Sequence, residues 1–118
     1  PWTPPSPNLP SLRSAKLYPA TVFLEGTNLS EGRGTPRPFE HVGAPWLDGE
    51  RLAETLNARD LPGLRFAPVR FTPTRSKHAG LEVSGVRLMP TGEPFDPLEA
   101  ARVLLAEARR QHPDAFAW

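Results

Sequence analysis

Sixteen of the 118 residues are proline, gathered mainly in three stretches, residues 1–10, 36–45 and 90–97. Average sequence carries about 5% proline. Each proline lacks a backbone N–H and fixes φ, so no long helix and no central strand can cross these stretches. The chain is thereby restricted to short elements joined by extended connections. The first stretch, PWTPPSPNLP, reads as a strap or linker over residues 1–10, leaving residues 11–118 as the folding unit. The sequence opens on Pro1 without an initiator methionine or a leader and closes on Trp118 without a polar tail, so we read it as a fragment truncated at both ends.

Between the proline clusters, hydrophobic spacing predicts a small α/β (α+β) fold, a mixed sheet flanked by helices. Ser11 can cap a short helix that runs through Tyr18 and is stopped by Pro19. Thr21–Leu24 suits a short buried strand or bend, and Phe39–Val42 another short strand. Asp48 can cap a helix reaching about Arg59, with Leu52, Ala53 and Leu56 inward. Two longer strands follow, Leu64–Thr72 and Leu81–Met89. Each changes phase midway: Leu64 and Phe66 give way to Val69 and Phe71, and Leu81 and Val83 to Val86 and Leu88. A bulge at Ala67-Pro68 and another at Ser84-Gly85 would restore one buried face. The last helix, near residues 97–112, has Asp96 as cap, Pro97 in its first turn and Glu99 where a capping box places its acid, with Leu98, Ala101, Leu105 and Ala108 at helical spacing.

The charges exclude some functions. Fourteen basic and thirteen acidic residues are interleaved along the chain, for a net charge of +1, so no broad positive field is available for nucleic acid. The absence of cysteine excludes disulfides and thiolate metal sites. His41, His78 and His112 show no metal-ligand spacing, and neither metal nor cofactor is expected. No apolar run approaches the ~20 residues of a membrane helix. The compartment stays open between secreted or periplasmic and cytoplasmic.

One segment is chemically dense. Residues 25–35, EGTNLSEGRGT, hold two carboxylates, an amide, three hydroxyls and a guanidinium on backbone made pliable by three glycines. Such a loop suits a polar ligand, although a solvated loop whose Asn and Ser cap its own turns would read the same way. Its Gly-Arg-Gly triplet lacks the lysine and the spacing of a phosphate-binding loop. A second polar segment, Thr72–Gly80, carries Lys77 and His78.

The run LEGTNLSEGRGT followed by RPFEHVGAPWLD, with WTPPSPNLPSL, FTPTRSKHAG and the closing HPDAFAW, resembles the bacterial NamZ-type exo-β-N-acetylmuramidases of peptidoglycan recycling, a family long classed as a domain of unknown function. The resemblance covers nearly the whole chain. It implies a two-subdomain enzyme, a Rossmann-like N-terminal part and a smaller α/β C-terminal part with the active site between them, and this chain looks like the latter. The missing N-terminal subdomain would then be its partner, a peptidoglycan-derived saccharide its substrate, and the isolated fragment inactive. A different class of function, a non-catalytic peptidoglycan- or carbohydrate-binding module, would use the same polar loop.

Glycoside hydrolysis needs an acid for the leaving oxygen and a carboxylate or the substrate acetamido group for the sugar cation. Glu25 and Glu31 are the loop's catalytic candidates, and the main acid can equally lie in the missing subdomain. Arg33 suits the lactyl carboxylate that distinguishes muramic acid, or equally an ion pair with Glu25 or Glu31 that shapes the loop; Asn28 and Thr35 suit the acetamido group or ring hydroxyls, and Ser30 joins them as a substrate-binding candidate. Lys77 and His78 complete the substrate-binding candidates. Trp46 is a weaker candidate for stacking on a sugar face.

Overall fold

The computed structural model describes residues 17–19, 21, 24, 26–37, 39–74 and 76–117. The proline strap, the start of the first helix, Glu25, Trp2 and Trp118 lie outside them. Three strands, β1 (His41–Ala44), β2 (Leu64–Phe71) and β3 (Val83–Pro90), form a sheet in the order β1-β3-β2. Both pairings are antiparallel, so the α/β class holds while the sheet is not mixed. Helices α1 (Gly49–Ala58) and α2 (Pro97–Gln111) cover one face.

Neither expected bulge exists. The β2–β3 register runs unbroken from Leu64↔Pro90 to Phe71↔Val83, and Pro68, which cannot donate, sits on an edge strand. The phase change has another cause, because the sheet buries different faces at its two ends. Leu64, Phe66, Val86 and Leu88, with Val42 and Ala44, meet the helices, whereas Val83 is buried on the opposite face, where Phe71 lies against His41.

Short side chains bring α1 onto the sheet. A Cβ on Gly49 would overlap the Gly85 carbonyl, and one on Gly85 would overlap Val42 O. The α1 terminus is capped twice, by Asp48 accepting from Arg51 N and by Ser84 Oγ accepting from Gly49 N at 2.9 Å. Leu52, Ala53 and Leu56 face inward as expected. In α2 Asp96 caps as expected, but the Glu99 carboxylate is held by Arg102, and the buried stripe is Ala100, Ala101, Val103, Leu104 and Ala108. Leu98, expected inward, is 65% exposed. The two helices are clamped by Glu107, buried on α2, which accepts from Arg59 Nε and Nη2.

Two other expectations shift. Backbone at residues 17–19 and 21 is helical, so Pro19 does not end the turn, and the Thr21 hydroxyl donates back to Leu17 O. The first strand starts at His41, because Phe39 adopts φ of 64° and turns the chain before it.

Burial, with Arg87 and Arg37 close by, lowers the pKa of His41 from 6.5 to about 4. The unfolded chain therefore takes up a proton that the folded chain refuses. This stabilising contribution is complete above pH 6.5 and is lost as pH falls towards 4. Allowing for solvent screening of a partly exposed ring, the loss should be about 1–2 kcal/mol. Urea unfolding across this window should show His41→Gln with a shallower pH dependence than the parent; identical slopes would contradict the assignment.

Candidate functional site

The glycine-rich loop is anchored first by apolar side chains. Leu24 and Leu29 are fully buried in the main core, and burial of each contributes about 2–3 kcal/mol. Between them the Thr27 hydroxyl donates to Leu24 O and accepts from Leu29 N, closing a tight turn. Ser30 then exchanges two backbone hydrogen bonds with Gly43, at 2.7 and 3.0 Å, and so extends the sheet beyond β1. The Ser30 hydroxyl accepts from Gly32 N, and the Thr35 hydroxyl donates to Gly32 O and accepts from Arg37 N. Gly32 has φ of 87°, and an added Cβ there would come 2.9 Å from Arg37 O, so the turn requires glycine.

The Thr72–Gly80 segment lies against this loop. Thr74 donates from both its backbone and its hydroxyl to Gly34 O. Lys77 Nζ donates to Leu24 O at 2.8 Å, Leu29 O at 2.9 Å and Glu31 Oε2 at 2.9 Å. His78 Nε2 lies 2.6 Å from the Asn28 carbonyl. A carbonyl only accepts, so that ring nitrogen carries the proton.

Glu31 is 1% exposed. Besides Lys77 it faces Arg33, whose Nε is 3.7 Å from Oε1, and the Arg33 guanidinium lies 5.2 Å from the centre of the Phe39 ring. Phe39 donates its N–H to Glu31 O at 2.6 Å and meets Tyr18 edge to face. Of the four non-glycine described residues with positive φ, three, Phe39, Ser76 and His78, belong to this assembly. Each such conformation costs on the order of 1–3 kcal/mol and persists only where surrounding contacts impose it.

The sequence candidates thus separate into two groups. Glu31, Arg33 and Lys77 converge on one charged cluster. Asn28 instead ties the loop to the chain end: its amide donates to Ala115 O at 2.7 Å, its Oδ1 accepts from Ala117 N at 3.0 Å, and its backbone N–H donates to Ala117 O. Ser30 and Thr35 spend their hydroxyls on the loop's own turns. Trp46 packs on the core, edge to face with His112. Sequence reasoning missed Phe39, the platform under Arg33, and the nearby buried Glu40, which pairs with Arg37. Both fall at the start of the Phe39–Val42 run, which the sequence marks as a short strand and not as part of a site. Among the described residues no three His, Asp or Glu side chains gather as a metal site, and no helix is long and apolar enough to cross a membrane.

Residues 16–118 match the family described as exo-β-N-acetylmuramidase NamZ, C-terminal. The chain belongs to this family. It is 47% identical over 112 residues to the peptidoglycan β-N-acetylmuramidase NamZ of Bacillus subtilis (strain 168), a match that covers 95% of this chain and 27% of that protein. The crystal structure of a DUF1343 family protein from Bacteroides fragilis superposes with a TM-score of 0.88 at 30% identity, covering 96% of this chain and 30% of that one. A second DUF1343 structure from the same species shares the fold at a TM-score of 0.58 and 23% identity, over 92% of this chain and 28% of that one. The chain therefore spans under a third of the length of these relatives. The NamZ C-terminal fold is the α/β arrangement described above.

Replacing Asn28 by alanine would strip the partners from Ala115 O and Ala117 N. Denaturant unfolding should record a loss of about 1–3 kcal/mol. Equal stability of Asn28→Ala and the parent would show that the chain end is not held this way.

Proposed function

We propose that this chain is the C-terminal part of a glycoside hydrolase that releases terminal N-acetylmuramic acid from peptidoglycan fragments during cell-wall turnover. The observation that carries this reading is the 47% identity, across 95% of the chain, to a peptidoglycan β-N-acetylmuramidase. The charged cluster gives the reading a chemical form. Arg33, held between the Glu31 carboxylate and the Phe39 ring, is the recognition group for the lactyl carboxylate. Glu31 accepts from an ammonium and faces a guanidinium, so it serves as the electrostatic anchor of Arg33 and not as the proton donor. Proton transfer then falls to Glu25 or to a carboxylate elsewhere in the longer enzyme, which supplies the opposite wall of the cleft. His78 contributes by fixing the Asn28 carbonyl, and Asn28, Ser30 and Thr35 shape the wall from within.

The full-length enzyme carrying this chain should release N-acetylmuramic acid from a muramyl disaccharide, and the isolated chain should not. In that enzyme Arg33→Ala should cost about 1.5–3 kcal/mol of transition-state binding for the muramic acid substrate, a roughly 10- to 100-fold fall in kcat/KM. An N-acetylglucosamine analogue lacks the carboxylate and should be affected far less. Parallel losses for both substrates, with the fold intact, would remove Arg33 from the recognition site.

A further inference from the structure

The ammonium of Lys77 has three N–H donors and three close acceptors: the carbonyls of Leu24 and Leu29 and Oε2 of Glu31, all within 2.9 Å. No donor is left for a saccharide. The two carbonyls bracket the turn that begins the glycine-rich loop, and the carboxylate is the group that faces Arg33. Lys77 thus joins the loop's backbone to its charged centre from a different segment of the chain. That segment is itself tied down, since Thr74 grips Gly34 O on one side of Lys77 and His78 meets Asn28 O on the other. The flanking residues Ser76 and His78 both hold positive φ, so the backbone is strained where it presents this side chain.

We propose that Lys77 is a positioning residue for muramic acid recognition: it does not touch the saccharide, but fixes the Glu31 carboxylate and through it the attitude of Arg33. This rests on the reading of Arg33 as the group that binds the lactyl carboxylate. A lysine suits the task because its ammonium carries three donors on one nitrogen, one for each acceptor, whereas a guanidinium spreads its donors over three nitrogens in a fixed planar fork.

The test is selectivity in the full-length enzyme. kcat/KM would be measured for a muramic acid glycoside and for the matching N-acetylglucosamine glycoside in the parent, Arg33→Ala, Lys77→Met and the double variant. Lys77→Met is expected to lower the muramic acid value about tenfold more than the other, and to add no further loss of selectivity once Arg33 is alanine. A merely structural role would depress both substrates in parallel, and a direct saccharide contact would remain additive with Arg33→Ala. Either result, obtained while Arg33→Ala alone still shifts selectivity, overturns the Lys77 proposal and leaves the site reading standing. An Arg33→Ala enzyme of unchanged selectivity overturns both. Should Lys77→Met fail to fold, Glu31→Gln removes the charge through which Lys77 acts while its amide oxygen can still accept from the ammonium. The same loss of selectivity is expected there, and unchanged selectivity overturns the proposal.

Discussion

A carboxylate buried to 1% exposure and an ammonium from a segment 46 residues further along the chain meet at 2.9 Å, and the loop between them depends on that pair. Leaving such a carboxylate without its partner costs about 3 kcal/mol or more, which is a large part of the stability of a domain this size. The pair does more than offset its own desolvation. Through the same ammonium the Leu29 carbonyl is paired, and the Leu24 carbonyl, which already accepts from Thr27, gains a further donor. Apolar anchoring at the same two leucines and polar closure by Lys77 therefore act on one short stretch of backbone.

The rest of the fold supplies the frame for this arrangement. Close approach of Gly49 and Gly85 seats α1 on the sheet, and the sheet edge at Gly43 receives Ser30. The chain end returns beside the loop, where Asn28 holds it while Phe116 enters the core. Loop, sheet edge, polar segment and chain end are thus mutually braced. In its proposed role as a recognition wall, such a loop enters binding with its ordering cost already met within the fold, which is the physical advantage of preorganisation.

Much of this was legible in the sequence, and what was not has identifiable causes. Asp48 and Asp96 were readable as caps because a short carboxylate before an apolar repeat has few other uses. The family resemblance lay in runs such as LEGTNLSEGRGT and RPFEHVGAPWLD, and the match over residues 16–118 bears it out. The phase changes in β2 and β3 suggest bulges only under a rule of one buried face per strand, and that rule fails where a small sheet is covered on opposite faces at its two ends. Leu98 was placed inward by spacing alone, and the helix is rotated so that Ala100 and Leu104 take that place. For the loop, composition revealed its polar residues but not their pairing. Lys77 and Asn28 looked alike as ligand-binding candidates, and only three-dimensional contacts separate a side chain aimed at the loop's charged centre from one aimed at the chain end. Nothing local marks Phe39 for positive φ, since the contacts that impose it come from Thr21, Glu31 and Tyr18.

In its proposed role the loop is set before any saccharide arrives. Amide hydrogen exchange in the full-length protein tests this most directly at Ser30, Gly43 and Phe39, whose N–H groups are bonded to Gly43 O, Ser30 O and Glu31 O. These amides should be strongly protected in the free enzyme and change little on addition of a muramic acid ligand. Fast exchange in the free enzyme, with protection acquired only on binding, would contradict the account.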